Sequence, residues 1–124
     1  MKNKYLDLIQ QTFDFPVEEF KVDDEGQLSF HDIPLMELIK QYGTPLKFIY
    51  LPKISENIKR ARSWFNVAIA KADYKAKYYY CYCTKSNHFQ HTLDEVLKND
   101  VHLETSSQFD INIIETLEEQ GKIT

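Results

Sequence analysis

The order of strand and helix signals in the second half of the chain constrains its fold more than any other feature. Short apolar runs at 78–83 and 101–105 have the length and composition of strands. Helical periodicity follows each of them, at 92–99 and 108–120. Strands that alternate with helices lie parallel in one sheet, because the helices form the crossover connections. The sequence therefore predicts an α/β fold.

The parallel arrangement also indicates how much of a fold the chain contains. Parallel sheets are covered by helices on both faces. A closed eight-stranded barrel takes roughly 250 residues, whereas this chain has 124. Its last residues, 122–124, resemble the approach to a further strand. We therefore expect the chain to be the N-terminal fragment of a longer protein.

The first third of the chain shows shorter patterns. Apolar spacing predicts a helix at 5–13, and period-2 alternation predicts a hairpin at 20–31 with Gly26 in its turn. Asp32 is expected to cap a second helix, which Gly43 ends. These elements belong to a segment that precedes the alternating strands and helices.

A strand and a long helix are predicted next. Residues 46–50 have the composition of a strand, and Pro52 is placed to begin a helix. The helix carries apolar residues at spacings of about 3.6, which form one stripe. The residues of that stripe are Ile54, Ile58, Ala61, Phe65 and Ala68.

Composition and charge exclude several classes of function. The chain is 43% hydrophobic and 27% charged, with a net charge of -4. Nucleic acid is disfavoured as a partner, since phosphate binding needs a basic patch. A membrane span and a signal peptide are not expected, because the sequence lacks a long apolar run and a cleavage site. Two cysteines are too few for a disulfide framework, which favours a cytoplasmic location.

The reactive and polar side chains are most concentrated between residues 80 and 88. Lys85 lies just past the predicted strand, at the end where barrel enzymes place their catalytic groups. Alternation puts Cys81, Cys83 and Lys85 on one face of that strand. A partly desolvated amine beside small side chains can react with an aldehyde. Taken alone, a lysine at a strand end is more often a solvated charge.

Two sequence motifs support a functional role for this lysine. The sequence YGTPLKFIY at 42–50, followed by a helix and by YCTKSN at 82–87, resembles the start of the pyridoxal-phosphate-dependent decarboxylases of the alanine-racemase-like barrel fold. Diaminopimelate, ornithine and biosynthetic arginine decarboxylases belong to that family. Lys85 matches the lysine that binds pyridoxal 5'-phosphate, and Asn87 matches the asparagine that follows it.

The sequence LETSSQFDI at 103–111 resembles the second strand motif of the same family. Glu104 takes the acidic position, Ser107 the serine and Asp110 the final acid, in place of the more usual glutamate. The resemblance implies that Lys85 and Glu104 are catalytic. It also implies that Lys85, Asn87, Ser107 and Asp110 contribute to cofactor binding. Glu104 would pair with the Lys85 ammonium when the lysine is released from the cofactor.

The same resemblance implies a whole-protein architecture. Residues 1–44 would contribute to a β-domain, and residues 45–124 would form the first βα units of a TIM-type (β/α)8 barrel. The family acts as a homodimer whose active sites form between the subunits and use residues that would lie beyond residue 124, so the chain alone is expected to be inactive. Arginine, converted to agmatine in polyamine biosynthesis, is the expected substrate. Ornithine, lysine and diaminopimelate are the alternatives. A racemase of the same fold is a further one, whereas the hairpin and helices predicted before Tyr42 argue against a small carrier of the cofactor.

Simpler roles are available for several of these residues. Ser107 and Asp110 form the S-x-x-D pattern of a helix capping box. Asn87 suits a turn after the strand, because asparagine tolerates unusual backbone angles. Glu104 has the simpler alternative of a strand residue that faces water.

A function of another class is a small zinc-binding module. Four residues between 81 and 91 carry zinc-type ligands, namely Cys81, Cys83, His88 and His91. The C-x-C spacing argues against this reading, since structural zinc sites favour C-x2-C or longer turns. No metal is therefore expected.

Overall fold

The computed structural model describes residues 19–123, and the chain divides between Phe48 and Ile49 into two compact units. The first unit contains strands β1 (Phe20–Val22), β2 (Leu28–Phe30) and β3 (Ile33–Pro34) and helix α1 (Leu35–Tyr42). The second contains helix α2 (Pro52–Lys71), strand β4 (Cys81–Cys83), helix α3 (Gln90–Leu97), strand β5 (His102–Glu104) and helix α4 (Gln108–Glu119). The helix predicted at 5–13 lies outside the described residues.

The first unit is built on the predicted hairpin, which the structure confirms. Strands β1 and β2 pair antiparallel with Phe20 opposite Phe30, and the turn between them uses Gly26 at φ 81°. A positive φ is open to glycine without steric cost. Phe30 is buried, and its ring centroid lies 4.7 Å from that of Phe20 and 5.2 Å from that of Phe48. These three rings form the core of the unit.

Helix α1 ends as predicted but begins later. Gly43 follows it at φ 79° and donates its N–H to the Ile39 carbonyl at 2.8 Å, which closes the last turn. The prediction that Asp32 caps this helix is wrong. The chain after Asp32 first pairs with β2 as strand β3, so the helix begins only after Pro34. The Asp32 carboxylate instead forms an exposed ion pair with Lys21 at 2.7 Å.

The strand predicted at 46–50 does not form. A strand exists only where a neighbour accepts and donates its backbone hydrogen bonds. Within residues 19–123 no strand pairs with this segment, and the boundary between the two units falls inside it. The segment therefore stays without a strand assignment, although its composition is typical of a strand.

The second unit shows the predicted parallel pair. Strands β4 and β5 run parallel with Tyr82 opposite Leu103, and each is followed by a helix, α3 or α4. The Thr84 N–H extends the ladder by donating to the Glu104 carbonyl at 3.1 Å. The apolar core of the unit consists of Ile58, Leu93, Val96 and Leu117, all at most 2% exposed. The chain is thus of mixed α/β class.

Helix α2 is covered along only part of its predicted stripe. Near its start Ile58 is 1% exposed, whereas Phe65 further along is 52% exposed and stacks on the Tyr78 ring at 4.3 Å. Helix α2 has 20 residues and its neighbour α3 has 8, so α3 covers only part of it. Arg62 joins the two by donating to the carbonyls of Asn99 and Asp100, both at 2.8 Å.

No helix among residues 19–123 combines the length and the apolar character that crossing a bilayer requires.

Candidate site at the carboxyl ends of the parallel strands

The parallel strands present a polar face built by alternation. Cys81 lies opposite His102, and Cys83 lies opposite Glu104, so the four side chains share one face. Cys81, His102 and Glu104 are exposed, and Cys83 is half-buried. The opposite face leads into the core, where Thr84 is completely buried. The strand pair therefore has one open, polar face and one closed face.

Lys85 follows β4 in a tight turn at this open end. The turn is closed by Ser86, whose N–H and hydroxyl both donate to the Cys83 carbonyl, at 3.2 Å and 2.7 Å. The Lys85 side chain is exposed, and it makes no hydrogen bond or ion pair within the described part of the chain. In particular, it is not ion-paired with Glu104 in this structure.

The Glu104 carboxylate acts on Cys83 instead. Its hydrogen bond with the thiol is the main cause that raises the pKa of Cys83 above its ordinary value, and partial burial adds to the effect. Because only the thiolate is a strong nucleophile, a raised pKa makes the thiol less reactive near neutral pH. Cys83 is therefore held as a protonated thiol beside a carboxylate.

We expect Glu104→Gln to lower the pKa of Cys83, because the substitution removes the carboxylate whose hydrogen bond with the thiol is the main cause of the raised pKa. The rate of alkylation by iodoacetamide at pH 7–8 should then rise severalfold at Cys83. Cys81, which lies two residues away on the same open face, serves as the internal control and should keep its rate. Equal changes at both cysteines would contradict this account of Cys83.

Asp110 is the centre of a buried hydrogen-bond network at the start of α4. It is 3% exposed, and its Oδ2 accepts from the Ser107 hydroxyl at 2.8 Å and from the Ser106 N–H at 3.1 Å. Its Oδ1 lies 2.9 Å from the Thr84 hydroxyl. These donors, Ser107 foremost, lower the pKa of the Asp110 carboxyl from 3.8 to about 2. The carboxylate is thus fixed by partners from two separate segments.

The capping interpretation of Ser107 and Asp110 agrees with this geometry. Ser107 precedes α4 as its N-cap, and its hydroxyl oxygen accepts the Asp110 N–H at 3.2 Å. The Asp110 carboxylate accepts a hydrogen bond from the N–H of Ser106, one residue before the cap. Both side chains are therefore engaged in holding the first turn of the helix.

Asn87 shapes the turn between Lys85 and helix α3. Its side-chain oxygen accepts the Phe89 N–H at 3.1 Å, and its carbonyl accepts the Tyr82 hydroxyl at 2.9 Å. The first contact is the hydrogen bond of an Asx turn. Asn87 thus anchors the return of the chain from the strand end to the helix.

The four residues of the zinc hypothesis do not converge. His88 packs edge-on against Phe109, and His91 stacks on Phe89. Throughout residues 19–123 no three side chains of His, Cys, Asp or Glu are grouped so that they could hold a metal ion. The geometry therefore gives no support to a zinc module.

Thr84 is the residue of this site that sequence reasoning missed. The available signal was its place in the alternation: it falls on the face that the strand turns towards the helices. A polar side chain on a buried face requires a hydrogen-bond partner, and here Asp110 provides one.

Comparison of the chain with protein-family models, with curated proteins and with solved structures finds no match.

Proposed function

We propose that this chain is the N-terminal part of a pyridoxal-phosphate-dependent amino-acid decarboxylase of the alanine-racemase-like barrel fold. The observation that carries the proposal is the setting of Lys85. Its amine is exposed and unpaired within the described residues, at the carboxyl end of a parallel strand. Glu104 lies on the neighbouring strand, opposite Cys83, which is two residues before Lys85. Catalytic groups of βα barrels lie at this end of the strands.

The residues present fit the cofactor in access and in chemistry. Reaction with an aldehyde requires an amine that the ligand can reach, and the Lys85 side chain is exposed. The adjacent open face carries thiols and a carboxylate rather than bulky apolar groups. Pyridoxal phosphate, when bound, supplies a ring that takes up the electron pair left by the departing carboxylate. Lys85 would hold the aldehyde carbon of the cofactor.

Glu104 would act on the amine of Lys85. Its carboxylate lies on the neighbouring strand, and both Glu104 and Lys85 are exposed. Through an ion pair Glu104 would keep the Lys85 ammonium in place while substrate occupies the site. The polar groups of Asn87, Ser107 and Asp110 have internal partners in this structure. Their cofactor-binding role stays a prediction.

The wider assignment follows the same proposal. The strand pair and its helices would be the opening of a TIM-type barrel, and residues 1–44 would join a β-domain. The complete enzyme would be a cytoplasmic homodimer with arginine as substrate, and ornithine, lysine or diaminopimelate as alternatives. The parallel β4–β5 pair and the helix after each strand support the barrel part of this proposal.

Selective reaction of Lys85 with the cofactor tests the proposal. The 124-residue chain is incubated with pyridoxal 5'-phosphate, reduced with borohydride, digested and mapped by mass spectrometry. We expect the reduced cofactor on Lys85 at several times the level found on other exposed lysines, because its setting favours the aldehyde adduct. Lys77, which is also exposed and precedes the same strand, is the internal control.

Variants of the two proposed catalytic residues sharpen this test. Lys85→Arg keeps the positive charge but cannot form the adduct, so the selective label should disappear while Lys77 keeps its background level. Glu104→Gln should leave the site of labelling unchanged and lower turnover in the complete protein. Labelling spread evenly over the exposed lysines of the wild-type chain would count against Lys85 as the cofactor lysine.

A further inference from the structure

The placement of Thr84 has a consequence for the residue that follows it. Thr84 is 0% exposed, whereas Lys85 next to it is exposed. The Thr84 hydroxyl lies 2.9 Å from Asp110 Oδ1 and 3.0 Å from the Glu104 carbonyl oxygen. A hydroxyl has one proton, so it donates to one of these acceptors at a time. The hydrogen bond of the Thr84 hydroxyl therefore holds the chain in place, on its buried side, directly after β4.

Asp110 connects this contact to the loop that precedes α4. The same carboxylate accepts from Ser106 and Ser107, which lie between β5 and α4. Ser107 also caps α4, whose residue Leu117 is 1% exposed in the core. The Thr84 hydroxyl is thus tied, through one carboxylate, to a capped helix anchored in the core.

We propose that Thr84 is a positioning residue for Lys85. Thr84 is held on the buried side, and Lys85 follows it as an exposed residue in the turn that Ser86 closes onto Cys83. Thr84 and Lys85 are the two central residues of this turn, which Ser86 closes by donating to the Cys83 carbonyl. Loss of the Thr84 hydroxyl increases the mobility of the Lys85 backbone, and the amine then samples many positions. The inference rests on the proposed function only in treating Lys85 as the functional amine.

The test compares two substitutions of Thr84 in the 124-residue chain. Thr84→Val keeps the shape and removes the hydroxyl, and Thr84→Ser keeps the hydroxyl and removes the methyl group. NMR relaxation reports the order parameter of the Lys85 amide, which is about 0.85 for rigid backbone and below about 0.6 for flexible backbone. We expect it to fall from the rigid towards the flexible range in the valine variant and to stay high in the serine variant. The amide of Lys98, at the end of α3, should not change in either.

Three results overturn the inference. One is an unchanged Lys85 order parameter in the valine variant, and another is an equal fall in the serine variant. Because the valine variant can fail to fold, the wild-type chain supplies the third: a buried, hydrogen-bonded Thr84 hydroxyl should exchange slowly enough with water to give its own proton signal. Fast exchange of that proton contradicts the contact with Asp110.

Failure of this inference is distinguishable from failure of the proposed function. Labelling by pyridoxal phosphate asks whether wild-type Lys85 is the reactive amine, and the relaxation data ask what fixes its backbone. If Lys85 is labelled selectively and Thr84→Val lowers both its order parameter and its selectivity over Lys77, both ideas hold. If the order parameter falls but wild-type Lys85 is never preferred, Thr84 still fixes the turn and the cofactor assignment is wrong.

Discussion

Leu93→Ala should lower the free energy of unfolding of the second unit by about 2–5 kcal/mol, the usual range for truncation of a buried leucine. Leu93 is 2% exposed, and only three other apolar side chains among residues 49–123 are equally buried, namely Ile58, Val96 and Leu117. Native domains are stable by roughly 5–15 kcal/mol. A large part of the stability of this unit therefore depends on one side chain.

Urea unfolding followed by far-UV circular dichroism measures this effect. The control is Ile111→Ala, which removes an aliphatic side chain of the same size from another helix at a position that is 44% exposed. We expect the control to change the free energy of unfolding by only about 0.5 kcal/mol. Similar losses in both variants would show that the buried residues do not form the core described above.

Asp110→Asn should flatten the dependence of stability on pH in the acid range. The pKa of Asp110 is about 2 in the folded chain and 3.8 without its partners. A carboxyl whose pKa is lowered on folding contributes stability that is fully present above its unfolded pKa. That contribution is lost as the pH falls through the folded pKa. The wild-type chain should thus lose stability progressively from about pH 4 to about pH 2, and the asparagine variant should lose less over that interval.

The asparagine variant should also be less stable at neutral pH. The amide has one oxygen, a neutral acceptor that replaces the carboxylate towards Ser106 and Ser107. Its NH2 group then faces the Thr84 hydroxyl, which can no longer donate to residue 110. Asp94→Asn is a suitable control, because Asp94 has a lowered pKa through an exposed contact with Lys122. Salt screens such a contact, so added salt should reduce the effect at Asp94 more than at Asp110. Identical acid profiles for wild type and Asp110→Asn would refute the role given to this carboxylate.

Sequence patterns predicted the elements that depend on local chemistry. The hairpin follows from alternation and a glycine turn, and the end of α1 follows from Gly43. The parallel strands follow from their alternation with helices. The start of α1 and the segment 46–50 were predicted wrongly, because both depend on which strand pairs with which. Strand pairing depends on the folded chain, and the sequence of a single segment predicts it poorly.

The candidate site shows the same division. The sequence placed Cys81 and Cys83 on one face and Ser107 at a helix start, because periodicity and capping are local. The contact between Thr84 and Asp110 joins residues far apart in the sequence and could not be predicted from either motif. The Ser107–Asp110 pattern indicated a cap but gave no sign that the same carboxylate also reaches another strand. Long-range hydrogen bonds of this kind become visible only when strand and helix are packed together.

The two-stranded parallel sheet has a further consequence for the behaviour of the chain at high concentration. Within residues 19–123, β4 and β5 pair only with each other, so each leaves one row of backbone amide and carbonyl groups unoccupied at an edge. Unprotected edges recruit strands from other molecules and lead to aggregation. Neither strand contains a proline or a lysine, the residues that commonly block such pairing. The two open edges of this strand pair, rather than the helices, are therefore where we expect association between copies of the chain to begin.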